Sequence, residues 1–195
     1  MKPLENLDKY EILLASNSPR RRQLLADLGI KFTPCAIDGI DESYPADTPI
    51  MDVAMTISKK KAGAYASLIT GNRLVITADT VVICDDKVMG KPHSDAEAIE
   101  MLHTLSGKTH HVVTGVTITT TDRQAAFSAV TEVEFALLTD EEIRYYVDTF
   151  HPTDKAGAYG IQEWIGCIGV SRISGSFYNV MGLPVQRLYT ELKKF

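Results

Sequence analysis

Apolar residues recur along this chain in two patterns, one typical of β-strands and one typical of α-helices. Short apolar or alternating runs predict strands at residues 11–15, 111–120 and 127–137. The run at 73–83 predicts either a strand pair or one long strand, because the polar pair Asp79-Thr80 interrupts it. Helical spacing prevails between these runs, so the chain is predicted to have an α/β fold.

Helix-boundary signals locate the predicted helices. Pro19 begins the first helix at a position where a missing N–H costs little, and Gly29 follows its last turn. A second helix is expected from Thr48-Pro49, and a last helix covers about residues 184–193. Two capping boxes, at 94–97 and 139–142, predict the start of two further helices.

The organisation of the chain indicates one domain over residues 1–195. No repeat, low-complexity tract or long linker divides the sequence, and 195 residues is an ordinary length for one domain. The segment from Thr153 to Pro184 is rich in glycine and has no clear periodicity, so no regular element is predicted within it.

Composition narrows the classes of partner. Apolar residues make up 45% of the chain, and the net charge is −5, so nothing attracts polymeric nucleic acid or an anionic membrane to the whole protein. No apolar run approaches the roughly 18 residues that span a bilayer, and the N-terminus lacks the order of a signal peptide. The three cysteines are far apart and predict buried free thiols in a reducing compartment, with a cytoplasmic location.

The segment Ser16-Asn17-Ser18-Pro19 joins a predicted strand to a predicted helix. Backbone N–H groups at a helix start attract anions, and Arg20, Arg21 and Arg22 add forked donors suited to phosphate oxygens. Arg21 lies on the apolar side of the predicted helix. The alternative interpretation is a solvated basic surface, and the preceding apolar strand favours the anion site.

Asp79 is the second candidate functional residue. A carboxylate within an apolar stretch must be paired with a cation, bound to a metal or placed at the edge of a cleft. A carboxylate that bonds a local turn is the plainer alternative. The acidic segment 38–42 is either a polar loop or a metal site, and at most one lysine of 59–61 can point into a site. Lys91 lies in a predicted rigid turn. Nucleotide-binding and hydrolase motifs such as GxxxxGK[ST], GxGxxG and GxSxG are absent.

In combination and in order, several blocks resemble the Maf family of nucleotide pyrophosphatases. The matching blocks are LLASNSPRRRQLLADLGI at 13–30, DE at 41–42, KKA at 60–62, ADTVV at 78–82, GKP at 90–92, LSGKTHHVVTG at 105–115, DKAGAYGIQ at 154–162 and NVMGLPV at 179–185. The resemblance spans nearly the whole chain. It implies an α/β fold like that of the inosine triphosphatases, with a mixed sheet, flanking helices and two lobes around a nucleotide cleft.

The resemblance also implies a reaction and a set of residues. The family hydrolyses nucleoside triphosphates between the α and β phosphates with a divalent cation, Mg²⁺ or Mn²⁺, and is expected to form homodimers. Asp79 matches the proton acceptor, and Glu42 with Asp79 matches the metal-handling positions. The remaining matches concern the phosphates, at Ser16, Arg21, Lys61 and Lys91, and the choice of base, at Arg20, Thr80 and Gln162.

The segment AYGIQ resembles the branch of the family that acts on dTTP and UTP. The expected function is therefore hydrolysis of these nucleotides to the nucleoside monophosphate and pyrophosphate, with clearance of modified nucleotides as an extension. His151 and Glu163-Trp164 depart from the family pattern beside this segment. Two alternatives stay open: the same chemistry on 7-methyl-GTP, and a non-catalytic nucleotide sensor that restrains cell division.

Overall fold

The computed structural model describes residues 3–195, which form a mixed α/β fold. Seven strands hydrogen-bond in the order β2-β1-β3-β5-β6-β7, and β4 pairs with β3. The strands are β1 (Glu11–Leu14), β2 (Thr33–Pro34), β3 (Arg73–Cys84), β4 (Lys87–Met89), β5 (Thr109–Thr119), β6 (Gln124–Phe135) and β7 (Val170–Ser174). β1 runs parallel to β2 and β3, whereas the β3–β4 and β6–β7 pairs are antiparallel.

Helices and short 3₁₀ turns connect these strands. The α-helices are α1 (Pro19–Asp27), α2 (Val53–Ala64), α3 (Asp95–Leu105), α4 (Asp140–Phe150), α5 (Trp164–Gly169), α6 (Phe177–Val180) and α7 (Val185–Leu192). The 3₁₀ turns are Glu5–Leu7, Ile50–Asp52, Ala66–Leu68, Pro152–Asp154 and Ala156–Ala158. The predicted α/β class is thereby confirmed.

Most helix starts follow their capping signals. Ser18 caps α1 through its hydroxyl, and Thr139 forms a reciprocal capping box with Glu142 at the start of α4. The box predicted at 94–97 is only half present. The Ser94 hydroxyl accepts from the Glu97 amide, but the Glu97 carboxylate accepts from the amide of His93, one residue earlier than expected.

Three sequence predictions need correction or refinement. The apolar run at 73–83 is one strand, β3, which continues through Asp79-Thr80 to Cys84. The cysteines are free, as predicted, but only Cys84 is buried; Cys35 is half-buried and Cys167 is exposed. The aperiodic segment 153–184 contains β7 and two short helices, for which the sequence carried no clear signal.

The chain divides into two compact units. Within the described residues, the first comprises 3–79, 114–129 and 182–195. Within it, β1 and the first part of β3 pair in parallel, and Leu13 and Val75 pack with Tyr65 in a small apolar cluster. Buried hydroxyls join α2 to this part of the sheet, because Thr77 donates to the Ser58 carbonyl at 2.9 Å and Ser58 contacts Thr117 at 3.0 Å.

The second unit comprises residues 80–113 and 130–181. Its core brings the last part of β3 together with α3, α4 and the 158–165 segment, with Leu102, Ile143, Tyr146 and Ile165 buried at its centre. His110 is buried between the rings of Phe135 and Tyr159, and its Nε2 forms a hydrogen bond of 2.7 Å with the Tyr159 hydroxyl. Burial lowers the pKa of His110 to about 4. Across residues 3–195, no helix has the length and apolarity needed to span a bilayer.

Candidate functional site

Ser16 lies directly after β1, where the parallel strand β3 runs beside it. Residues Glu11–Leu14 pair with Arg73–Ile76, and the Ala15 amide donates to the Ile76 carbonyl at 2.9 Å. Ser16 is buried, and its hydroxyl accepts from the Ser18 amide at 3.1 Å. The tight turn at 16–18 thus delivers the chain into α1, and the N-terminus of α1 lies beside the carboxyl end of β1.

Arg21 is held at this turn by two backbone carbonyls. Its Nε donates to the Gly182 carbonyl at 2.8 Å and its Nη1 to the Ala78 carbonyl at 2.9 Å. Burial lowers the pKa of the guanidinium, and the charge of Asp79 opposes that change. The side chain therefore lies near Asp79 with an orientation fixed by backbone carbonyls, and it is buried instead of solvated.

The backbone of α2 passes unusually close to β5. A Cβ on Gly115 would lie 2.5 Å from the backbone atoms of Met55, so only glycine allows this approach. Lys61 lies six residues after Met55 on the same helix and contacts Asp79, so one lysine of the 59–61 run points toward this carboxylate.

Lys61 joins the two acidic residues that the sequence singled out. Its Nζ lies 2.7 Å from Asp79 Oδ1 and 2.8 Å from Glu42 Oε1. The Lys61 and Asp79 side chains are only 13% and 11% exposed, whereas Glu42 is 52% exposed. A β-strand, an α-helix and a loop thus each supply one member of a charged cluster.

Burial gives Asp79 its chemical character. Removal from water raises the pKa of the Asp79 carboxyl, and the attraction of Lys61 and Arg21 only partly opposes this effect. A carboxylate with a raised pKa is a better proton acceptor than an exposed one. This environment suits general-base catalysis.

The neighbouring lysine holds the loop that carries Glu42. Lys60 Nζ lies 2.5 Å from Asp41 Oδ2 and 3.0 Å from the carbonyl of Ser43. The ammonium of Lys60 is the main reason that the pKa of Asp41 is lowered. Adjacent lysines on α2 therefore have different tasks, because Lys60 ties down the 41–43 loop on the surface and Lys61 contacts Asp79.

Glu42 and Asp79 can supply only some of the ligands that a divalent cation needs. Oxygen ligands suit Mg²⁺ and Mn²⁺, and Glu42 and Asp79 both direct an oxygen toward one point, which Lys61 Nζ occupies. Within residues 3–195, no group of three or more acidic, histidine or cysteine side chains could enclose a metal ion. The residues fit a cation that takes most of its ligands from substrate phosphates and water.

Three predicted site residues lie in the second unit. Thr80 shares a face of β3 with Val82, because alternate strand residues point the same way. Val82 packs against Gly157, whose amide donates to the Gly90 carbonyl at 3.0 Å, directly before Lys91. Lys91 is exposed and lines a cavity of about 380 Å³ with Met89, His93 and Met101.

Gln162 is exposed at the end of the loop that begins at Lys155, and this loop contains residues that sequence reasoning missed. Lys155 is buried, and its Nζ lies 2.7 Å from Asp154 Oδ1 and 3.1 Å from Glu163 Oε1. Tyr146 of α4 donates its hydroxyl proton to the other oxygen of Glu163. Two signals in the sequence bear on this loop: Lys155 lies within the family-matching block 154–162, and Glu163 departs from the family pattern directly after it.

The family model described as "Maf-like protein" matches residues 11–195 of this chain. This match spans both units and includes every site residue discussed above.

Individual relatives agree with the family match. The dTTP/UTP pyrophosphatase of Bacteroides thetaiotaomicron is 58% identical over 191 residues, covering 98% of this chain and 99% of that protein. The dTTP/UTP pyrophosphatase of Phocaeicola vulgatus is 59% identical with the same coverage. Among solved structures, a HAM1 protein from Coxiella burnetii aligns with 95% of this chain and 100% of its own, at 17% identity and a TM-score of 0.47.

Proposed function

The chain belongs to the Maf family, and on that premise we propose that it hydrolyses dTTP and UTP between the α and β phosphates. The products are the nucleoside monophosphate and pyrophosphate. Support comes from relatives that are 58% and 59% identical over nearly their full length and are named dTTP/UTP pyrophosphatase. The observation that carries the proposal is the buried Asp79 carboxylate, with a raised pKa, in contact with Lys61.

In this proposal Asp79 is the proton acceptor. A water molecule attacks the α-phosphorus and its oxygen becomes part of the monophosphate. The bond from the α-phosphorus to the bridging oxygen breaks, and the electron pair leaves with pyrophosphate. Asp79 takes the proton of the attacking water, and Lys61 keeps the Asp79 side chain oriented through the 2.7 Å contact.

The basic side chains would bind the triphosphate. Ser16 and the start of α1 offer backbone N–H groups, and Arg21 is already oriented by its carbonyl contacts. Lys61 and Lys91 match the other phosphate positions of the family. These cations offset the negative charge that accumulates on the departing pyrophosphate, which lowers the barrier for bond cleavage.

A divalent cation, Mg²⁺ or Mn²⁺, would be held by Glu42 and Asp79 together with phosphate oxygens. When bound, it neutralises phosphate charge and favours cleavage of the anhydride bond. Lys61 lies between these two carboxylates, so it would share them with a bound cation. Glu42 is the more exposed partner and is therefore the residue that we assign mainly to the metal.

Base selection is assigned to Arg20, Thr80 and Gln162. The amide of Gln162 has a donor and an acceptor side by side, as does the O4 and N3–H edge of uracil and thymine. Gln162 is exposed, so its amide is accessible to a ligand. The same proposal gives the protein a cytoplasmic location, a homodimeric state and a small-molecule nucleotide as its partner, with no polymeric nucleic acid or membrane.

A panel of nucleotides tests the proposal. Pyrophosphate release is measured for dTTP, UTP, CTP and 7-methyl-GTP with Mg²⁺ and with Mn²⁺, using wild type and Asp79→Asn side by side. We expect the highest kcat/KM for dTTP and UTP and loss of turnover in the variant. Preference for 7-methyl-GTP would show that the protein has the substrate of the other branch of the family. Tight dTTP binding without turnover would favour the nucleotide sensor.

A further inference from the structure

A buried charged network underlies the loop that carries Gln162. Lys155 is 7% exposed and contacts Glu163 Oε1 at 3.1 Å. The second oxygen of Glu163 accepts from the Tyr146 hydroxyl, which itself accepts from the Gly160 amide at 3.0 Å. The chain between Lys155 and Glu163 is therefore fastened at both ends and in the middle.

Such a network is a costly way to stabilise a loop, because buried ion pairs often contribute less than apolar residues of the same size. A geometric requirement gives a better explanation. The loop holds Ala158 in the left-handed region, at a φ of 59°, where residues other than glycine are uncommon. It also reverses direction at Gly160, whose carbonyl accepts from the Glu163 amide at 2.9 Å.

Gly160 brings the Gln162 amide close to the Glu163 carboxylate. A Cβ at Gly160 would lie 2.9 Å from Gln162 Nε2 and 2.8 Å from Glu163 Cδ. The Gln162 amide and the Glu163 carboxylate therefore both pack against the Cα of Gly160. A carboxylate attracts the NH₂ end of an amide and repels its oxygen. Rotation of the Gln162 amide by a half-turn would bring its oxygen toward Glu163 and is therefore disfavoured.

We propose that Lys155, Glu163 and Tyr146 are positioning residues that keep the Gln162 amide in one orientation. This inference rests on the proposed function, in which Gln162 recognises the pyrimidine edge. An amide that rotates freely suits uracil and cytosine equally, because their donor and acceptor positions are exchanged. An amide of fixed orientation distinguishes them, so the network converts a permissive contact into a selective one.

The test compares kcat/KM for dTTP and dCTP in wild type, Glu163→Gln and Tyr146→Phe, with pyrophosphate release as the readout. We expect both variants to lower the dTTP-to-dCTP ratio about tenfold, the scale of one lost oriented hydrogen bond. The kcat for dTTP should change much less. Tyr145→Phe is the matched control, since Tyr145 is the neighbouring tyrosine on α4 and is 52% exposed, and it should keep the wild-type ratio.

A second arm separates positioning from folding stability. The double variant Lys155→Met with Glu163→Met should recover thermal stability relative to Lys155→Met alone, because it leaves no unpaired buried charge. Its dTTP-to-dCTP ratio should nevertheless remain low. A wild-type ratio in this double variant, or in both single variants of the first arm, overturns the positioning role alone.

The wild-type protein distinguishes this inference from the proposed function. If wild type prefers dTTP and the variants keep that preference, only the positioning role is wrong. If wild type releases pyrophosphate equally from dTTP and dCTP, or from neither, the proposed base recognition and the positioning role both fail.

Discussion

Two lysines in this protein have nearly the same surroundings and, in our account, different functions. Lys61 lies between Asp79 and Glu42, and Lys155 lies between Glu163 and Asp154. In each cluster one carboxylate is largely enclosed, at 11% exposed for Asp79 and 20% for Glu163. The other carboxylate is about half exposed in both, at 52% for Glu42 and 56% for Asp154.

The difference lies in where the partners come from. Lys61 joins groups 18 and 19 residues away, on a strand and a loop, so the cluster gathers separate elements around one point. Lys155 contacts its direct neighbour and a residue at the other end of the same loop. In addition, the enclosed carboxylate of the second cluster accepts from a tyrosine hydroxyl, whereas burial raises the pKa of Asp79.

The comparison shows that an ammonium between two carboxylates does not by itself identify a catalytic site. A closed network, in which the enclosed carboxylate has further donors, fixes a conformation. An enclosed carboxylate whose pKa is raised is prepared to accept a proton.

Removal of the charge of Asp79 should have the greatest effect on catalysis. Asp79→Asn keeps the size of the side chain, and we expect dTTP turnover to fall about 10²-fold or more, the scale of a lost general base. Glu163→Gln is the matched variant in the other cluster and should retain kcat within about threefold, because it acts on orientation. Near-normal turnover in Asp79→Asn would remove this residue from the mechanism.

Removal of the lysine should reduce the free energy of unfolding more in the Lys155 cluster than in the Lys61 cluster. Lys155→Met leaves Glu163 enclosed without its cation, and we expect a loss of about 2 kcal/mol, below the range for fully buried pairs because the partners are partly exposed. Lys61→Met should cost less, since Asp79 can take up a proton and Glu42 is exposed to solvent. Urea unfolding at pH 7 measures both, and a larger loss for Lys61→Met would contradict the comparison.

The pH dependence of stability should change with Asp79→Asn. Because the folded-state pKa of Asp79 is raised, the unfolded chain releases this proton at lower pH than the folded chain. Stability from this group is therefore present below its ordinary pKa and is lost as pH rises through the folded-state pKa. Asp79→Asn lacks this loss, so relative to wild type it should gain stability as pH rises through the folded-state pKa of Asp79. The free energy of unfolding of both proteins is measured across acidic and neutral pH. A difference between them that does not change with pH would contradict this prediction.

Metal binding should depend on the nucleotide. Since Lys61 lies between Glu42 and Asp79, we expect free Mn²⁺ to bind the protein alone weakly and to bind several-fold more tightly with a non-hydrolysable dTTP analogue. Electron paramagnetic resonance of Mn²⁺ reports this without any need for turnover. Glu42→Gln should reduce the coupling, whereas Asp47→Asn, at an exposed position later in the same loop, should not. Equally tight Mn²⁺ binding without nucleotide would contradict this arrangement.

Much of the fold could be predicted because local signals agreed with the final structure. Pro19 and the 139–142 capping box began helices where expected, and the alternating runs formed β5 and β6. β7 could not be predicted, because its sequence VSRIS lacks clear alternation and its pairing with β6 is a tertiary contact. Of the two alternatives for 73–83, the structure has one long strand, and Lys61 supplies the charge that lets the Asp79 carboxylate remain within it.

In the candidate site, too, some residues could be predicted from the sequence and others could not. Asp79, Glu42 and Lys61 were all selected from the sequence, and the structure brings them together. Lys155 and Glu163 were not, because nothing in a loop sequence indicates that a tyrosine on α4 will contact it. Contacts within short segments can thus be inferred from sequence motifs, whereas a network closed by a distant helix needs the three-dimensional structure.

The position of bond cleavage is the most direct test of the proposed reaction. Wild-type protein is incubated with dTTP and Mg²⁺ in water enriched in ¹⁸O, and the products are identified by mass spectrometry. We predict dTMP that carries one ¹⁸O atom, together with unlabelled pyrophosphate. Formation of dTDP and orthophosphate, or label in pyrophosphate instead of dTMP, would contradict attack on the α-phosphorus by the water that Asp79 deprotonates.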